Sequence, residues 1–175
     1  MGRKAAKVEA VACYCYRKEL YLESLSSTIA EGLIRHYEEL LGKVHHWAEP
    51  LTEEQFWTKP YPYGNSFGHL VLHLTGNLSY YIGAQIAETG YVRDREREFT
   101  ETHPPSKAEA LQKLDAAVAM VVKTIRAQSA DAWGNPYSAV GDAGVGNRFN
   151  IFLRCASHLF HHIGQMIYLH REFQK

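Results

Sequence analysis

The chain has 175 residues, is 46% hydrophobic and 22% charged, and carries 19 Lys+Arg against 19 Asp+Glu, a formal net charge of zero. That length favours one domain with a sizeable core. The charge balance excludes the basic surplus of a general nucleic-acid binder or of a protein held on acidic membranes.

Residues 1–18 show no clean hydrophobic period and are expected to be an N-terminal arm, with a single domain over 19–175. The basic start followed by Glu9 makes a poor signal peptide. Cys13-Tyr-Cys15 lacks the two-residue spacer of a zinc knuckle, and with Cys155 the cysteines form an odd, sparse set. Such a set is no disulfide framework and points to a reducing compartment, so a cytoplasmic location is expected. No apolar run reaches the length of a membrane-spanning helix.

A first helix is predicted from Glu19 to His46, because Leu22, Leu25, Ile29, Leu33, Ile34, Tyr37, Leu40, Leu41 and Val44 recur at three and four. The His45-His46 pair suits a helix C-terminus. Residues 47–64 hold Pro50, Pro60, Pro62 and Gly64 and form a connection, in which Thr52-Glu-Glu-Gln55 can cap a short turn. A second helix begins at Asn65 or Ser66, runs to about Thr89 and stops at Gly90. Residues 91–105 are polar, and the mixed-sign run from Arg93 to Glu98 reads as a solvated turn. Ser106 and Glu109 form a capping box for a third helix over Lys107–Gln128.

The segment 129–147 is long for a bundle connection. It is expected to be either a mobile rim over a site, with Trp133 and Tyr137 available for substrate, or a plain surface connection. Its Gly141–Gly146 stretch lacks the Gly-Lys-Ser/Thr ending of a phosphate loop, which rejects a nucleotide site. A fourth helix covers Arg148–Glu172, with Phe149, Phe152, Leu153, Ala156, Phe160, Ile163 and Ile167 as one stripe. Four long helices and no strand-like alternation predict an all-α fold, a four-helix bundle.

Histidines carry the chemistry. Ten in 175 residues give about 0.6 pairs at i,i+4 by chance. The chain has two, His69/His73 and His158/His162, both on strongly apolar helices where a polar ring must find a partner. Side chains four apart leave one helical face together, so such a pair can chelate one divalent ion. From spacing alone, a metal site and satisfied core or interface histidines stand about level. Apolar residues outside the main stripes, Leu72 and Leu169 among them, lead to the expectation of a homodimer.

Asn65-Ser-Phe-Gly-His-Leu-Val-Leu-His73-Leu-Thr-Gly-Asn77 resembles the second helix of the DinB/YfiT-like superfamily, and His158-Leu-Phe-His-His162-Ile-Gly-Gln165 is similar to its fourth. The resemblance spans about residues 20–172, and the form with Asn-Ser before the first motif and Gly-Asn after it resembles an uncharacterised branch. It implies a DinB-like four-helix bundle in which His73, His158 and His162 are the ligands of one metal ion. His69 and His161 are extra to the pattern. Zinc or nickel suits an imidazole set. Asn77 and Gln165 are candidates to accept a ligand's second N–H, and Arg154 to meet an anionic substrate. Loss of metal is expected as pH falls below about 6.5.

Three functional readings follow. The first is a metal-dependent enzyme, either a hydrolase or a transferase using a low-molecular-weight thiol. The second is a non-catalytic metal-binding module, and the third a structural dimer. Partners would be a second copy and a small molecule or thiol, with neither nucleic acid nor membrane.

Overall fold

The computed structural model describes residues 2–141 and 144–175, and side chains among them from Glu19 onward. Six helices dominate: α1 (Gly2–Ala48), α2 (Glu53–Trp57), α3 (Phe67–Leu78), α4 (Arg97–Thr100), α5 (Lys107–Arg126) and α6 (Arg148–Glu172). The four long ones form the bundle: α1 packs on α5 and α6, and α3 on the same two. The fold is therefore all-α, as the helical periods require. No helix among the described residues is long and apolar enough to cross a membrane.

The first helix begins at Gly2, well before Glu19. No proline or glycine interrupts residues 3–31, so nothing in the backbone stops it there. Any flexibility of the expected arm, and the side chains of Cys13 and Cys15, lie outside the described residues. A helix of 47 residues is on the order of 70 Å long, nearly twice the length of its 25-residue partner α6. Part of it must go uncovered. Leu22 and Leu25, expected inside, are accordingly 37% and 44% exposed, whereas Tyr37, Leu40 and Val44 are fully buried.

Local capping signals hold. Thr52 and Gln55 close a reciprocal box on α2, and Ser106 and Glu109 do so on α5. Ser66 caps α3 by accepting from the His69 backbone N–H. After Leu78 the helix widens into a π turn over Ser79–Ala84, with Gln85 and Ala87 N–H groups donating to Tyr80 and Ile82 carbonyls. A π turn inserts one residue per turn and re-aims the side chains on it. The helical run ends at Ala84, short of the expected Thr89, and the chain turns away through Glu88 (φ 52°) and Gly90 (φ 73°).

The core joins Tyr37 and Leu40 of α1, Leu70 and Leu74 of α3, Leu114 and Ile125 of α5, and Ile151, Phe152 and Leu159 of α6. Each such side chain contributes on the order of 1.5–3 kcal/mol. The stripe expected on α6 is displaced. Leu153 and Phe160 are about half exposed, and the buried arc runs instead through Ile151, Phe152, Cys155, Leu159, Ile163, Met166 and Leu169. Leu169 is buried within the chain, whereas Leu72 is half-buried and lines an open cavity beside Met120 of α5. Leu169 therefore no longer calls for a second copy.

The described residues of segment 129–147 include regular structure. They contain a 3-10 turn (Asp131–Gly134) and two residue pairs, Pro136–Tyr137 (β1) and Gly146–Asn147 (β2), joined antiparallel. Trp133 and Tyr137 are not offered to a substrate. Both are buried; the Trp133 indole N–H donates to Ser26 Oγ, and the Tyr137 hydroxyl to the Tyr81 carbonyl. A large aromatic gains most by burying its ring while its polar end finds a partner, and both residues do so here.

Candidate metal centre

Three imidazoles meet between α3 and α6. His158 and His162, one turn apart on α6, leave the edge of its buried arc, and His73 faces them from α3. His158 Nε2 stands 3.2 Å from His73 Nε2 and 2.9 Å from His162 Nε2. One nitrogen of each ring lies within 4.8 Å of the other two, a grouping that could hold a metal ion.

The outer nitrogens decide how those inner ones are presented. His73 Nδ1 lies 2.8 Å from Glu98 Oε2, and a carboxylate only accepts, so Nδ1 carries the proton and Nε2 keeps its lone pair. His162 Nδ1 lies 2.7 Å from Gln165 Oε1, an acceptor again, with the same consequence. Two lone pairs thus point at the nitrogen of a third ring, whose single proton can serve only one of them. A divalent cation satisfies all three. The separations of 2.9 and 3.2 Å approach the edge of a tetrahedron with arms of about 2.0–2.1 Å. His158 Nδ1 is buried without a hydrogen-bond partner among the described residues.

Glu98 is the residue that sequence reasoning missed. The run Arg93–Glu98 is no plain solvated turn, because Glu98 is 6% exposed at the start of α4. Besides His73, its carboxylate accepts a fork from Arg93, at 2.7 Å from Nε and 2.8 Å from Nη2. Burial works against the charged form, but the bonds from His73 and Arg93 outweigh it and hold the carboxyl below its ordinary value. Gly76 makes the approach possible: a Cβ there would collide with Glu98 Oε1 and Cδ. Nothing in a mixed-sign run signals that one of its acids turns inward. The glycine one turn after His73 was the available hint.

The remaining candidates separate cleanly. Gln165 accepts from His162. Asn77, proposed for the same role, bonds to none of the three histidines. It is buried, its Oδ1 has no hydrogen-bond partner among the described residues, and it lines a cavity of about 840 Å³ that opens on His73 and His158. Arg154 lines that cavity too, as do Val140 and Gly141 of the 129–147 segment. His69 lies outside the cluster. Its Nδ1 is 2.6 Å from Ser66 Oγ and its ring meets the edge of Trp57, which makes it part of the start of α3. His161 is exposed beside Gln165.

Burial pushes the His158 pKa down to about 3, assisted by its neighbours His162 and His73. Burial also pushes His162 down to about 4, against the opposing hydrogen bond to Gln165. Both rings are therefore neutral at pH 7, the state a metal requires, and protons compete for them at lower pH than the 6.5 of a free imidazole. The sign for stability follows. Between pH 6.5 and about 4 the unfolded chain binds protons that the folded, metal-free chain refuses, so acid favours unfolding. Thermal melts of metal-free protein should fall steadily from pH 6.5 to 5, before most carboxylates titrate, and His158→Ala/His162→Ala should flatten that slope. A flat profile in the parent chain would contradict the buried neutral pair.

A family model described as the DinB superfamily matches residues 36–166, a span that includes all three clustered histidines and Glu98. No curated protein matches the chain.

Proposed function

The chain belongs to the DinB superfamily, and on that premise we propose that it binds one divalent ion through His73, His158 and His162 and acts on a small molecule there. The observation that carries this reading is the convergence of three Nε2 atoms beside a cavity of about 840 Å³. Three imidazoles leave a divalent ion with open positions, where it polarises a substrate oxygen or thiol or lowers the pKa of water. Zinc and nickel both suit the donor set.

The chain's own groups would do the rest. Glu98 and Gln165 fix the tautomers of His73 and His162, so that each ring presents a lone pair. The π turn brings Tyr80 and Tyr81 to the cavity wall, and Tyr81 stacks under the Arg93 guanidinium at 5.7 Å. Reactions compatible with this layout are hydrolysis and transfer to a low-molecular-weight thiol.

The test is metal analysis of protein purified without added metal, followed by ester hydrolysis and thiol conjugation with and without the ion. One equivalent of metal with metal-dependent turnover supports the enzyme. One equivalent without turnover leaves a binding module, and no metal ends the proposal.

A further inference from the structure

Three ligands need three outer acceptors. A ring that gives Nε2 to a metal carries its remaining proton on Nδ1, and that N–H has to be accepted. Glu98 accepts it from His73, and Gln165 from His162. His158 has no such neighbour, since its Nδ1 is buried and has no hydrogen-bond partner among the described residues. One other buried side-chain atom shares that condition among them, Asn77 Oδ1. Asn77 is itself 7% exposed. The first atom becomes a donor once Nε2 binds metal, and the second only accepts. Unmatched buried donors and acceptors are each costly, and folded proteins keep few of either.

Their places in the fold match as well. Asn77 stands one turn beyond His73 on α3, so the two side chains leave the same face. The cavity of about 840 Å³ is lined by His73, Asn77 and His158, and His162 is not among its lining residues. Of the two ligands on α6, His158 is therefore the one that shares this space with Asn77. No direct bond joins the two atoms, and the cavity they share has room for a water that accepts from one and donates to the other.

We propose that Asn77 is the positioning residue of His158, accepting its Nδ1–H through one bridging water when His158 Nε2 holds metal. The inference rests on the metal-centre reading and gives the third ligand the outer contact that the other two already have.

The test uses the full chain, carrying isotope-labelled histidine, with zinc as the probe. Zinc affinity is measured by chelator competition in the parent, Asn77→Leu, Asn77→Ala and Asn77→Asp, and urea unfolding is followed on the zinc-free proteins. Asn77→Leu and Asn77→Ala should bind zinc about tenfold more weakly. The zinc-free urea midpoint of Asn77→Leu should be no lower than the parent's, because leucine removes an unmatched oxygen. In the zinc-loaded parent, nuclear magnetic resonance of the imidazoles should show a proton on Nδ1 of all three ligands. The His158 proton alone should exchange faster with solvent in Asn77→Leu and Asn77→Ala. Asn77→Asp keeps an acceptor oxygen and should retain both the slow exchange and the affinity.

Parent-like zinc affinity in Asn77→Leu and Asn77→Ala, equal acceleration at all three rings, or an Asn77→Asp protein as weak as the leucine variant overturns the proposal. Any of these results in a parent chain that takes up zinc defeats this inference alone. A parent chain that takes up no zinc defeats the metal reading, and this inference with it.

Discussion

Alanine at His158 is expected to empty the centre of metal. The ring stands between the other two, 3.2 Å from His73 Nε2 and 2.9 Å from His162 Nε2, so its loss removes the donor both neighbours face. His73→Ala and His162→Ala should do nearly as much, because two imidazoles hold a divalent ion far less well than three. Partners that merely orient a ligand cost about 10–100-fold in affinity when lost, and each ligand deletion should exceed that. His69→Ala and His161→Ala should keep one equivalent. His69 makes its contacts with Ser66 and Trp57, and His161 is exposed. Bound metal also stabilises the folded state by preferential binding, so the parent chain should gain in thermal midpoint with zinc while the three ligand variants do not. Metal retained in all three variants, or a His69→Ala protein as depleted as His73→Ala, would sink the assignment.

The second large effect is expected at Glu98. Its carboxylate is buried and accepts from both His73 and Arg93, so Glu98→Ala leaves a guanidinium and an imidazole without their acceptor. Breaking a buried pair by removing one partner costs about 3–5 kcal/mol. The same change frees the His73 ring to rotate or exchange tautomer, which should lower metal affinity by about 10–100-fold. Glu98→Gln separates the two consequences. It preserves shape and one acceptor oxygen but loses the charge, so it should fold better than the alanine variant and still bind metal less tightly than the parent.

Gly76→Ala offers an independent check, because its methyl group would displace the same carboxylate from the side of α3. Urea unfolding and zinc titration of the three variants measure both quantities. Parent-like zinc affinity in Glu98→Ala would show that the carboxylate serves only the fold.

Much of this was legible before any coordinates. Capping boxes at Thr52/Gln55 and Ser106/Glu109, the start of the second predicted helix at Ser66, and the fourth over Arg148–Glu172 are local events, each set by side chains within one turn of the backbone they satisfy. The His158/His162 pair is local in the same sense, since residues four apart on any helix share a face. His73 entered through a resemblance to a family pattern, and the fold brought it to the pair as that pattern implied. Gln165 lies three residues from His162, close enough for helical spacing to bring them together.

Other features were decided only by how the helices pack. Glu98 is 25 residues from His73, in a run where every charge looked equally able to face water. The bonds from His73 and the bidentate Arg93, with the close approach allowed by Gly76, make its burial affordable. Trp133 and Tyr137 looked like rim contacts, but each has its polar end satisfied by a distant partner, Ser26 and Tyr81. Leu153 and Phe160 match the helical period yet face outward, because the period defines an arc of α6 and cannot say where its neighbours stop. Asn77 sits on the motif that marked it, but its neighbours in space left its oxygen without a direct bond to a histidine. Sequence determines what lies within a turn or two along the chain. Desolvation and pairing between residues far apart in sequence decide which of those groups are buried, and these depend on the assembled bundle.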